Sequence, residues 1–153
     1  MDKEEIHDFF EEAASIWTLF GLKKNILSEN PDKFNNFLSV LNNESISIYE
    51  RYNSTVKKDE EKSVDGIGRA ITSSILNILY PETCPVFNNA SDAVFEYFGI
   101  HENRNRGETP AEKYTRFRLI SLILKDKYDF TDLVEVDCFV GYIKVHYINQ
   151  KNS

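Results

Sequence analysis

The sequence has only two cysteines, Cys84 and Cys138, far apart and outside any Cys-x-x-Cys or Cys/His cluster. Neither a disulfide framework nor a zinc site is expected from them, and the reading that remains is two buried, reduced thiols. No run of eighteen apolar residues occurs, so no helix of bilayer length is expected. Met1-Asp2-Lys3-Glu4-Glu5 is charged where a secretory signal turns apolar, which points to a cytoplasmic location without a membrane partner. The three histidines, His7, His101 and His146, are widely spaced with no His-x-x-x-His pattern, so surface or capping roles are expected and metal ligation is not. No cofactor is implied. Positive charge is also short: 18 Lys and Arg stand against 25 Asp and Glu, a formal net charge of −7. A surface of that sign repels nucleic acid as a whole, so any DNA binding has to come from a local patch.

What is present is enough for a core. A chain of 153 residues that is 41% hydrophobic can form one domain and hide roughly 68–70% of its unfolded surface. The 11 Phe and 8 Tyr supply large core side chains and argue against disorder. The pattern reads as all-α, a single helical domain over 1–150 with a short tail at 151–153. Ile6, Phe9, Phe10, Ala13, Ile16, Trp17 and Phe20 fall at helical spacing in a first helix from Lys3 to Phe20, stopped by Gly21. Trp17 is read as core. Asn30-Pro31 reads as an N-cap followed by Pro at the first helical position, opening a helix through Phe34, Phe37, Leu38 and Leu41 that ends at Asn42-Asn43.

A third helix is read through Ile46, Ile48, Tyr49 and Tyr52, and the mixed-sign stretch Lys57 to Lys62 is a solvated loop or helix end. Further helices are expected from Ile71 to Tyr80, broken by Pro81, and from Asp92 to Phe98, stopped by Gly99. After a loop at His101 to Pro110, Tyr114, Phe117, Ile120 and Leu124 recur at helical spacing to about Tyr128. The last segment has two readings: a helix from Asp132 to Tyr147, which is preferred, or a strand over Val134 to Val145, which is rich in Val, Phe and Tyr. Asp137 within it is read as outward-facing or as a buried partner for a cation. No internal repeat is visible.

One segment carries chemistry. Val64-Asp65-Gly66-Ile67-Gly68-Arg69-Ala70-Ile71-Thr72-Ser73-Ser74-Ile75-Leu76 has the form apolar-x-Gly-apolar-Gly, followed directly by a helix. Two glycines allow a turn with φ > 0 and a close backbone approach to a ligand, while the helix points free N–H groups and the positive end of its dipole out of the turn. A phosphate fits such a place without a basic side chain. Arg69 would add a charge-assisted contact and Thr72 or Ser73 a hydroxyl. Taken alone, Gly-x-Gly is better read as a tight helix–helix connection.

With its flanks, the stretch resembles the helix-hairpin-helix of base-excision DNA glycosylases related to endonuclease III. The likeness continues where Leu76-Asn77-Ile78-Leu79-Tyr80-Pro81 leads into Cys84-Pro85-Val86-Phe87-Asn88-Asn89, and it covers roughly residues 45–100. The resemblance implies a hairpin at 64–76 that grips the phosphate backbone of double-stranded DNA through Gly66, Ile67, Gly68 and Arg69, with Thr72, Ser73, Asn88 and Asn89 close by. It also implies what is missing. Where glycosylases that form a covalent intermediate carry a lysine, this chain has Ala70, and where the family carries an aspartate, this chain has Asn88. Cysteine ligands for the iron–sulfur cluster of part of that family are absent.

A second resemblance runs through the Asn30-Pro31 helix, Tyr49-Glu50-Arg51, Gly66-Ile67-Gly68, Ser74-Ile75-Leu76, Tyr80-Pro81 with Pro85-Val86-Phe87-Asn88-Asn89, Phe98-Gly99-Ile100, Tyr114 and Val136-Asp137-Cys138-Phe139. This order is similar to helical regions beside McrB-like AAA+ NTPases, the motors of modification-dependent restriction systems. No Gly-x-x-x-x-Gly-Lys-[Ser/Thr] phosphate loop is present, so the resemblance implies a targeting module with an AAA+ NTPase as partner. Arg104 and Arg106 in the Asn/Arg-rich loop form a basic cluster that is either solvated or able to reach a second phosphate or a base edge. The expected function is a non-catalytic DNA-binding or targeting domain. Its rivals are a divergent DNA glycosylase using another carboxylate, and an acidic protein-interaction domain that has lost DNA binding.

Overall fold

A computed structural model describes residues 1–13, 29–57, 64, 67–100 and 107–149. The readings that fall on Trp17, Gly21, Gly66, His101, Arg104 and Arg106 lie outside them. Among the described residues every regular element is helical: α1 (Lys3–Ala13), α2 (Pro31–Leu41), α3 (Ile48–Val56), α4 (Arg69–Leu79), α5 (Asn89–Tyr97), α6 (Pro110–Tyr128) and α7 (Leu133–Ile143), which runs on into a π-helical turn (Lys144–Ile148). The Val-rich last segment is thus helix and not strand. The chain divides into two compact units, 1–72 and 73–153, with the division falling inside α4.

In the first unit the helix starts follow from local chemistry. Asn30 accepts a hydrogen bond from the Lys33 N–H at 3.1 Å, with Pro31 supplying the fixed φ of the first helical position. α3 starts in a capping box: the Ser47 hydroxyl accepts from the Glu50 N–H and the Glu50 carboxylate accepts from the Ser47 N–H at 2.9 Å. The Ser47 hydroxyl also donates to the Glu50 carboxylate at 2.8 Å, and that bond, followed by the one from the Ser47 N–H, holds the Glu50 carboxyl below its ordinary pKa. Between α2 and α3 the backbone turns sharply, and the buried Arg51 donates to the carbonyls of Leu41 (3.2 Å) and Ile46 (3.0 Å). A cation therefore closes the helix end that Asn42-Asn43 leaves open. Phe34, Phe37, Leu41 and Tyr52 are wholly buried, and the two phenylalanine rings stack at 5.9 Å.

The second unit is organised around an extended return segment. Phe87 lies 4.8 Å from Phe117, which in turn lies 4.7 Å from Phe95, so one aromatic row ties the return segment to α6 and α5. α6 opens with a Thr109–Glu112 capping box and Pro110, and ends where Asp129 adopts a left-handed φ of 57°. α5 ends in a Schellman motif, with Gly99 at φ 69°, its N–H on the Glu96 carbonyl and the Ile100 N–H on the Phe95 carbonyl. That glycine is the stop the sequence marked. Asp132 caps α7, whose Leu133, Val136 and Val140 point inward. Cys138 sits off that inward row and is exposed, so of the two free thiols only Cys84 is buried as expected.

Candidate nucleic-acid interface

Just before α4 the Ile67 N–H donates to the Val64 carbonyl at 3.0 Å. Val64 and Ile67 are buried, which is why the motif needs apolar residues at both places. The next residue, Gly68, is exposed and its carbonyl accepts the Thr72 N–H at 3.0 Å, so it holds the cap position of α4. Its φ lies outside the left-handed region, and a Cβ built on it meets nothing within 4 Å. The expected need for φ > 0 therefore does not apply at Gly68. What glycine gives here is clearance on the solvent side of a helix N-terminus, the end that favours anions. Arg69 follows, half-buried, at the first helical position.

Thr72 and Ser73, read as hydroxyl donors to a phosphate, are completely buried. Ser73 is occupied with backbone: its Oγ accepts the Phe87 N–H at 2.8 Å and lies 3.3 Å from the Phe87 carbonyl oxygen, to which it donates. Asn77 donates to the Cys84 carbonyl at 2.8 Å in the same way. Ser73 and Asn77 on the inner face of α4 thus share the backbone groups of segment 84–87 with Tyr80, Tyr114 and Ser91. Neither hydroxyl is presented to a ligand at the surface.

Asn88 also has a local task. Its Oδ1 accepts from the N–H groups of Ala90 (2.7 Å) and Ser91 (3.1 Å), capping α5, and Asn89 is exposed at the first position of that helix. The signal was available in the sequence, since Asn88 stands three residues before Ser91 at the head of an apolar helix. Ala70, where a lysine nucleophile would stand, is half-buried. Of the sequence-marked residues, Ile67, Gly68, Arg69 and Thr72 belong to the first unit and Ser73, Asn88 and Asn89 to the second. The turn lies in the more acidic unit, with 14 acidic against nine basic side chains, whereas the second has 11 against nine.

The second unit carries a feature that motif reading passed over. Val94, Phe95, Phe98, Ile100, Leu124, Tyr128, Phe139 and Val140 line an open apolar groove of about 250 Å³. Phe98 and Tyr128 are more than half exposed, as are Leu119 and Ile123 on α6. The run Leu119-Ile120-Ser121-Leu122-Ile123-Leu124, apolar on every side of a helix but that of Ser121, was the available signal. Among the described residues no group of three or more His, Cys, Asp or Glu could hold a metal ion, and no helix is long and apolar enough to cross a membrane. No protein-family model, curated protein or solved structure matches this chain.

Proposed function

We propose that this chain is a non-catalytic module that holds double-stranded DNA by its phosphate backbone, in the service of a modification-dependent restriction or defence system that includes an AAA+ NTPase. The observation that carries the contact is the exposed, uncrowded Gly68 at the head of α4, where backbone can approach a phosphate with Arg69 one residue away. The non-catalytic part is supported by Ala70 in the place of a lysine nucleophile and by Asn88 in the place of an aspartate. The restriction system and the NTPase rest on the sequence resemblance alone. Titrating a labelled duplex across a salt series tests the contact. Incubation with duplexes containing damaged or methylated bases tests the rival glycosylase reading, which requires free base and an abasic site.

A second reading is favoured by a specific observation. The acidic interaction domain gains from the open apolar groove of the second unit, because contiguous exposed apolar surface on a small domain marks a place where another molecule sits. The two readings use different units and are tested separately.

A further inference from the structure

We draw no further inference here: the strongest candidate, the open apolar groove of the second unit lined by Phe98, Tyr128 and Phe139, is an unpartnered face, and nothing in the structure shows what covers it.

Discussion

Helices α4 and α6 invert the usual assignment of side chains to inside and outside. α4 hides Thr72, Ser73, Ser74 and Asn77, while α6 leaves Leu119 54% and Ile123 63% exposed. The difference lies in what each helix has to pack against. The return segment 84–87 meets α4 through short side chains that hydrogen-bond to its backbone, Ser73 to both groups of Phe87 and Asn77 to the Cys84 carbonyl. α6 meets the core with one row along its length, Ala111, Tyr114, Phe117 and Ser121, so Leu119 and Ile123 fall on its outer face. Residue type alone therefore misleads on both helices: Ser73 and Asn77 on α4 are structural, and Leu119 and Ile123 on α6 are surface.

The largest effect should come from the inward row of α6. Phe117→Ala removes the ring that joins Phe87 and Phe95 and is expected to cost about 3–5 kcal/mol, read from chemical denaturation. On α4, Ser73→Ala keeps the volume but strands the buried Phe87 N–H, so about 1–3 kcal/mol should be lost. If Ser73 were instead a surface hydroxyl waiting for a phosphate, its removal would leave the melt unchanged. Gly68→Val, at a cap position with open space, should change stability by about 1 kcal/mol or less. Ile123→Lys should stay within about 0.5 kcal/mol, and a larger loss would mean that the outer face of α6 is packed after all.

The smallest effect is in pH. The Thr109 bonds, backbone first, hold the Glu112 carboxyl below its ordinary pKa, so its cap stabilises the fold above the usual carboxylate range and that contribution disappears as pH falls through the lowered folded value. Glu112→Gln, which still accepts a hydrogen bond but does not titrate, should flatten that part of an acid-melting profile. An unchanged profile would separate the cap from the acid sensitivity.

Most of the fold was legible because its signals are local. Asn30-Pro31, Gly99 and Pro110 act within one helical turn, and the periodicity of Tyr114 and Phe117 reports a face directly. The last helix was harder, since α7 is apolar on nearly every side and helical and strand periods look alike there; Asp132 as cap was the local clue. The candidate site was less legible. Ser73 and Asn77 look like surface polar residues until a segment several residues later folds onto them, and Cys138 looks buried until Leu133, Val136 and Val140 take the inward row. Gly-x-Gly announced a turn, but not that Gly68 would use its lack of a side chain for clearance and not for a left-handed φ.

The central claim, a phosphate at the head of α4, is tested most directly by anisotropy titration of a labelled duplex with the wild type, Arg69→Ala and Gly68→Val over a salt series. With one or two phosphates engaged, the wild type should bind weakly with a slope of log affinity on log salt of about −1 to −2. Arg69→Ala should lose about two- to fivefold, as one partly exposed charge contact would. Gly68→Val should lose more while melting near the wild-type temperature, because its side chain fills the clearance and not the core. No detectable wild-type binding at low salt, or binding that neither substitution changes, would contradict it.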